Sequence, residues 1–147
     1  MSAKTVELLG QRQNLKLLLE MFAFAAVMPI LMKCFSLERI LSMLTPCEKE
    51  QTQNTSRASI KKIVRLSLLL LNRNRFFLKN SCLKRSLLLY YFLRKHGVNV
   101  QIHFGIKKLD DRLSGHSWLT RDGNLIADHE QHRRAFTQVL SFPAAKT

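Results

Sequence analysis

The chain has 147 residues, of which 46% are hydrophobic, so it suits one globular domain and excludes a disordered chain. Its 24 Lys and Arg residues against 10 Asp and Glu residues give a formal net charge of +14. Such a surplus predicts an acidic partner: nucleic acid, an anionic membrane surface or an acidic peptide. The odd cysteine count and the lack of a convincing secretory signal favour a reducing, cytoplasmic location over a disulfide framework. The cysteines are Cys34, Cys47 and Cys82.

The first 46 residues predict a helical N-terminal region. Residues 5–23 have helical spacing, and the apolar run 21–32 contains Pro29. Because this run has 12 residues and a spanning helix needs roughly 20, we expect a packed or interfacial helical pair and no membrane span. An interfacial pair would contact a membrane peripherally. A short helix follows Ser36 and ends at Pro46, with an apolar stripe of Ile40, Leu41 and Leu44.

Residues 47–58 are polar, have no period, and form the best candidate linker in the chain. This linker separates the N-terminal region, 1–46, from a core at 59–147. The core opens with a basic amphipathic helix from about Ser59. The residues with helical spacing on one face are Ile60, Ile63, Val64, Ser67, Leu68 and Leu71, and the other face carries Lys61, Lys62 and Arg65.

The next helix is predicted from Cys82 to His96, capped by Ser81 and stopped by Gly97. Its middle is apolar on every face, which indicates burial. Cys82 lies at its first turn, where a helix stabilises negative charge and therefore a thiolate. The ordinary alternative is a structural cysteine, since free cysteine is among the most buried residue types.

After Gly97 the period changes to two, which predicts a strand over residues 98–106. His103 falls on its polar face and is expected to be solvated. We expect a polar loop over 107–115, strands at 116–120 and 125–128, and a weakly alternating edge strand at 136–142.

The turn around Asp122-Gly123 decides whether His116 and Asp128 can meet. A two-residue loop would place them on opposite faces, because a one-residue slip reverses every side chain. A three-residue loop, 121–123, puts them opposite each other with Cβ atoms roughly 5 Å apart. Gly123 occupies the left-handed position that such a loop requires, so we predict the three-residue loop.

Cys82, His116 and Asp128 would then have complementary roles. His116 can accept the thiol proton and later protonate a leaving amine. Asp128 can hold the imidazole in one tautomer. The backbone N–H of Cys82, free at a helix start, can stabilise an oxyanion. Taken singly, His116 also reads as an exposed strand residue and Asp128 as a strand-end residue, so spacing alone does not establish a triad.

The segment from Cys82 to Asp128 resembles the lasso-peptide leader peptidases, in the transglutaminase-like branch of papain-type cysteine hydrolases. The resemblance rests on Cys-Leu-Lys-Arg-Ser-Leu at 82–87, Phe-Gly-Ile at 104–106, His-Ser-Trp at 116–118 and Asp128. Three neighbouring positions depart from the family pattern without removing a catalytic atom: Ser117, Thr120 and Ala127.

The resemblance implies an α+β fold, with a helical N-terminal half and a transglutaminase-like core whose nucleophilic cysteine begins a helix packed on a small antiparallel sheet. It implies a cysteine protease that cuts the leader from a ribosomally made lasso-peptide precursor through a thioester, with no cofactor. The expected partners are the precursor, a separate leader-recognition protein and a lasso cyclase. The basic surface would suit an acidic leader.

Two other functions and a metal site are the alternatives to this interpretation. A nucleic-acid-binding module fits the net charge, but no recognised motif or exposed aromatic face supports it. A triad enzyme that transfers amides would need the same residues. A metal site is not expected, because His129 and His132 are three residues apart and zinc proteases require four.

Overall fold

The computed structural model describes residues 12–45, 57–73 and 82–143. Their order is helix, helix, helix, helix, strand, strand, strand, short helix, strand. The elements are α1 Arg12–Cys34, α2 Leu37–Leu44, α3 Arg57–Arg73, α4 Cys82–Lys95, β1 Gln101–Leu109, β2 Arg112–Arg121, β3 Asn124–Ile126, α5 Glu130–Arg134 and β4 Thr137–Phe142. The predicted α+β class, with a helical N-terminal part, is confirmed.

The strands form one antiparallel sheet in the order β3-β2-β1-β4. β4 pairs with β1 at one edge, which confirms the edge strand expected from the weak alternation of the tail. β3 forms the other edge, where β2 is its one neighbour among the described strands. The strand bearing His116 therefore lies inside the sheet, between β1 and β3.

Helix α4 is the most buried element of the fold. It contacts α1 and α3 on one side and β1 and β2 on the other, as its apolar circumference predicts. Gly97 ends it with a φ of 77°, and the N–H groups of Gly97 and Val98 bond back to the carbonyls of Arg94 and Leu93. This is the Schellman arrangement for which glycine is favoured. The predicted cap, Ser81, lies outside the described residues.

Helix α1 runs through Pro29 without a break, so the predicted helical pair is wrong within the described residues. Proline removes one backbone hydrogen bond, but the turns on either side are held by packing of Met21, Ala25 and Met28 in the core. The segment Asn14–Cys34 is consequently long and apolar enough to cross a membrane, although core helices meet the same criteria. The length argument against a span therefore does not hold.

Helices α2 and α3 follow their predicted stripes with one exception. Ile40, Leu41 and Leu44 are buried as expected. Helix α3 begins at Arg57, so the last two positions of the predicted linker are helical. Leu68 is 42% exposed, and Leu66 and Leu70 are buried in its place. Helix α3 contacts both α1 and α4. Because two neighbours cover it, its buried face differs from the face that the spacing of its residues predicts.

His103 is buried, so its predicted solvation is wrong. It is 8% exposed, its Nε2 shares a 2.7 Å hydrogen bond with Thr120 Oγ1, and its ring stacks on Trp118. The strand alternates as predicted, but Phe136 from the end of the chain lies over this second face. A polar strand face is solvated only if no later segment covers it.

The predicted polar loop over 107–115 is also wrong. β1 continues to Leu109 and β2 begins at Arg112, so Asp110 and Asp111 make the whole connection. Asp110 adopts a φ of 51°, which aspartate tolerates better than most residues. The pairing with β2 extends the strand through residues that carry no alternating signal of their own.

We predict that His103 makes stability depend on pH. Burial, and secondarily the charge of Arg133, lowers the pKa of His103 in the folded protein. The unfolded chain, with a histidine pKa near 6.5, therefore takes up a proton that the folded ring does not, and the free energy of unfolding should fall as the pH drops from about 7 to about 5. His103→Gln should show a shallower fall in urea titrations at each pH.

The matched control is His129→Gln, which removes an exposed histidine and should keep the wild-type fall. Equal slopes for His103→Gln and the wild type would contradict the assignment.

Candidate active site

Cys82 lies at the first residue of α4, half-buried at the rim of the sheet. The first N–H groups of a helix have no intrahelical acceptor, so this end can stabilise negative charge. The Cys82 thiol donates a long hydrogen bond, 3.9 Å, to the backbone carbonyl of Gly115. Gly115 immediately precedes His116, so the structure brings the helix start next to the histidine strand.

His116 and Asp128 are joined by a short hydrogen bond. Nε2–H of the imidazole donates to Asp128 Oδ2 at 2.6 Å, and the two side chains are 12% and 4% exposed. The other carboxylate oxygen, Oδ1, accepts the backbone N–H of His129 at 2.8 Å. The carboxylate is thus held at both oxygens, and it leaves Nδ1 of His116 as the nitrogen that can exchange a proton with a nucleophile.

The turn between β2 and β3 is not the predicted one. Arg121 pairs with Asn124, so the loop has two residues, Asp122 and Gly123, with φ values of 49° and 78°. This is the geometry favoured in tight hairpins. In a regular continuation of this register, Asp128 would point away from His116.

Ala127 restores the contact. The ladder stops at Ile126, and Ala127 takes a φ of 57°, in the left-handed region that alanine rarely enters. This break turns the chain after β3 and brings Asp128 back to His116. The expected contact is therefore present, but it arises from a local kink and not from the predicted loop.

The electrostatic balance at Asp128 favours the ionised form. Burial raises the pKa of the Asp128 carboxyl. The hydrogen bonds from His116 and His129, together with the charges of His116 and Arg85, lower this pKa by a larger amount. The net pKa lies below the usual value for aspartate. Asp128 therefore carries its negative charge at neutral pH and can stabilise an imidazolium on His116.

Two aromatic rings hold the imidazole of His116. Phe136 packs against it with ring centroids 5.0 Å apart, and Trp118 stacks at 6.0 Å. Gly105 makes room for both, because a Cβ at that position would lie 2.8 Å from the Trp118 ring and 3.0 Å from Phe136 Cβ. The ring is thus restricted to a narrow range of orientations.

Ser86 and Ser117 connect the two elements that carry the nucleophile and the base. Ser86 Oγ donates to the Ser117 carbonyl at 3.0 Å, and Ser117 Oγ donates to Ser86 Oγ at 3.1 Å; both residues are buried. Ser86 lies one turn after Cys82 on the same helix face, and Ser117 follows His116. This pair therefore fixes the start of α4 against β2 close to both site residues.

The positioning residues Ser86, Gly105 and Phe136 were not among the predicted site residues. A glycine inside a strand often marks the close approach of another group, and this signal was available for Gly105. The serine pair had no sequence signal, because the two residues are far apart in the chain. Phe136 lies after the last predicted site residue, and its contact with the imidazole of His116 is a tertiary contact that has no local sequence signal.

No group of three or more His, Cys, Asp or Glu side chains suited to a metal ion occurs among residues 12–45, 57–73 and 82–143. Around His116 the structure shows one ring nitrogen bonded to a carboxylate, and the Cys82 thiol lies against the carbonyl of the preceding residue, Gly115.

We predict that Gly105→Ala destabilises the protein by about 1–3 kcal/mol, the usual cost of inserting a methyl group into a packed site. Urea denaturation should show the loss as a lower midpoint. Gly115→Ala is the matched control on the neighbouring strand, since the nearest atom to its added Cβ is 4.0 Å away. It should change the stability by less than about 0.5 kcal/mol. Equal midpoints for the two variants would contradict the close packing described above.

A family model described as the transglutaminase-like superfamily matches residues 22–141, a stretch that contains Cys82, His116 and Asp128. Searches of curated proteins and of solved structures give no significant match. The superfamily includes enzymes with a cysteine triad. The matched stretch covers most of the chain and agrees with the helical part followed by an antiparallel sheet. The chain belongs to the transglutaminase-like superfamily.

Proposed function

We propose that the protein is a cysteine peptidase that removes the leader from a ribosomally made lasso-peptide precursor. Cys82 is the nucleophile, His116 the general base and acid, and Asp128 the group that orients the imidazole. The observation that carries this proposal is the hydrogen bond between His116 Nε2 and Asp128 Oδ2, beside the thiol-bearing end of α4. The choice of substrate rests on the resemblance of the residues from Cys82 to Asp128 to leader peptidases.

The proton chemistry follows from the tautomer. Asp128 holds the proton on Nε2, so Nδ1 is the basic nitrogen and can accept the proton of the Cys82 thiol. The resulting imidazolium is stabilised by the ionised carboxylate. Trp118 and Phe136 prevent the ring from turning away.

The reaction proceeds in two halves. The thiolate of Cys82 attacks the carbonyl carbon at the leader–core junction, and the backbone N–H of Cys82 stabilises the oxyanion. His116 gives its proton to the leaving amine, the C–N bond breaks, and a thioester remains on Cys82. Water, deprotonated by His116, then attacks the thioester, releases the leader carboxylate and restores the thiol.

The proposed setting follows the resemblance. A separate recognition protein would present the leader, and a lasso cyclase would act on the released core. The net charge of +14 supports a peptide partner of acidic character. A cytoplasmic location, with or without contact between α1 and a membrane surface, is part of the proposal.

We predict that Cys82 reacts with iodoacetamide faster than Cys34 near pH 6, although Cys34 is the more exposed of the two. Exposure alone gives the opposite order, so a faster Cys82 indicates thiolate formation with His116. Peptide mapping by mass spectrometry gives the rate for each cysteine.

His116→Ala should remove the advantage of Cys82 and leave the rate at Cys34 unchanged. If Cys82 remains slower than Cys34 in the folded wild type, with the leader-recognition protein absent or present, the assignment of an activated nucleophile is wrong.

We predict that Cys82→Ala and His116→Ala each abolish leader release, and that Asp128→Asn lowers its rate, because the amide can still accept Nε2–H but no longer carries the charge that stabilises the imidazolium. The assay is mass spectrometry of the precursor incubated with the enzyme and the recognition protein. Cys34→Ala is the matched control and should retain full activity. Wild-type release by either alanine variant at the site would exclude this mechanism.

The product mass also separates hydrolysis from transfer. Free leader and core peptides indicate hydrolysis. A leader joined to an added amine would indicate acyl transfer by the same residues, an activity that occurs in the superfamily.

A further inference from the structure

A groove lies between the first half of α3 and the edge strand β3, outside the contacts that hold His116 and Asp128. Its volume is about 630 Å³. The lining residues that the structure describes belong to the first half of α3, to β3 and to Ala127, which follows β3. The proposed chemistry on Cys82 uses none of these side chains.

The rim of the groove is cationic. Lys61 and Arg65 are exposed and one turn apart, so they project from the same face of α3, and Lys62 is half-buried beside them. None of the described lining residues is acidic. A ligand that carries carboxylates would therefore meet positive charge without a competing neighbour in the lining.

The remainder of the lining is apolar. Ile60 and Val64 on α3 face Leu125 and Ile126 on β3, and all four are only partly buried. A polyanion without apolar side chains would leave this apolar surface exposed to water. Nucleic-acid bases stack on aromatic rings, and the described lining contains none. The groove therefore fits a peptide with acidic and apolar side chains better than it fits a nucleic acid.

The position of the groove connects it to the candidate site. β3 is an edge strand among residues 12–45, 57–73 and 82–143, so within this part of the chain the outer side of its backbone is available to pair with an extended peptide. Ala127 lines the groove, and the next residue is Asp128. An extended chain lying along β3 would thus pass close to the residues that orient His116.

We propose that this groove binds an extended segment of the peptide substrate that carries both acidic and apolar side chains. The inference rests on the proposed function in that the bound peptide is taken to be the substrate. It adds that the enzyme itself recognises part of the leader, in addition to any recognition protein.

The test uses the Cys82→Ala protein, so binding is measured without cleavage. The probes are short fluorescein-labelled peptides of alternating Leu and Glu, of alternating Leu and Lys, and of alternating Ser and Glu, together with a single-stranded oligothymidylate. Fluorescence anisotropy should show that the Leu-Glu peptide binds most tightly, because it alone supplies both carboxylates and apolar side chains.

Two sets of variants locate the binding. Lys61→Glu with Arg65→Glu should weaken Leu-Glu binding about tenfold or more, since the change removes two favourable ion pairs and introduces two repulsive ones. The control is the double variant Lys33→Glu and Lys108→Glu, which changes the net charge by the same amount at exposed positions outside the groove. It should bind the Leu-Glu peptide about as tightly as the parent protein does. Leu125→Ser, which keeps the charge, should also weaken the Leu-Glu peptide and leave the Ser-Glu peptide unaffected. Circular dichroism melts confirm that each variant is folded.

Three outcomes would overturn the proposal. The first is equal binding of the Leu-Glu and Ser-Glu peptides. The second is an equal loss in the groove and control charge variants, which would indicate binding by net charge alone. The third is tighter binding of oligothymidylate than of Leu-Glu, lost on Lys61→Glu with Arg65→Glu, which would assign the groove to nucleic acid.

The same variants separate this inference from the proposed activity. In the catalytically intact protein, Lys61→Glu with Arg65→Glu should raise KM for the precursor and leave kcat nearly unchanged, because the groove binds and does not react. If the peptide binds in the groove but the wild type cleaves no precursor, the proposed activity fails and the binding site stands. If cleavage occurs with an unchanged KM in the groove variant, the binding site fails and the activity stands.

Discussion

The structure depends on the burial of α4 between the other helices and the sheet. Leu87, Leu88, Leu89 and Leu93 are almost fully inaccessible, and the hydroxyl of the buried Tyr90 shares a 2.8 Å hydrogen bond with Thr45 at the end of α2. Removal of this much apolar surface from water is the main force that holds the two layers together. Near its start, α4 is also joined to β2 by the hydrogen bonds of Ser86 and Ser117. The position of Cys82 relative to the sheet therefore follows from the hydrophobic core and from this serine pair.

The candidate base is placed by different means. β2 lies inside the sheet, so the backbone of His116 is fixed by hydrogen bonds to β1, and its ring is held by Phe136, Trp118 and Asp128. Asp128 reaches the ring because the chain leaves β3 at Ala127 in a left-handed conformation. Such a conformation costs an alanine of order 1–3 kcal/mol and persists only where its surroundings determine it. Here the hydrophobic core and the hydrogen bonds to both carboxylate oxygens of Asp128 hold Ala127 in this conformation.

Two surfaces remain beyond the candidate site, and they differ in character. The groove between α3 and β3 combines basic side chains with apolar ones and ends at Ala127. Helix α1 instead presents apolar side chains such as Leu19 and Ile30 to its surroundings, 67% and 62% exposed, while its other face packs on α4. The same helix is tied to the end of α4 by the ion pair of Glu20 and Lys95. Both surfaces are therefore formed by elements that contact the helix or follow the strand carrying the candidate site.

The sequence alone determined the parts that depend on local signals. Apolar spacing located α2, α3 and α4, Gly97 marked the end of α4, and the change of period marked the start of the sheet. The sequence also identified Cys82, His116 and Asp128 as a candidate set, partly through a resemblance.

The remaining features depend on tertiary structure. The continuation of α1 through Pro29, the burial of His103 and the length of the β1–β2 hairpin each depend on what packs or pairs against the segment. The path from β3 to Asp128 turned on the backbone conformation of Ala127, and alanine has no intrinsic preference for the left-handed region. Only the packed core and the hydrogen bonds to Asp128 select that conformation, so no local pattern could reveal it.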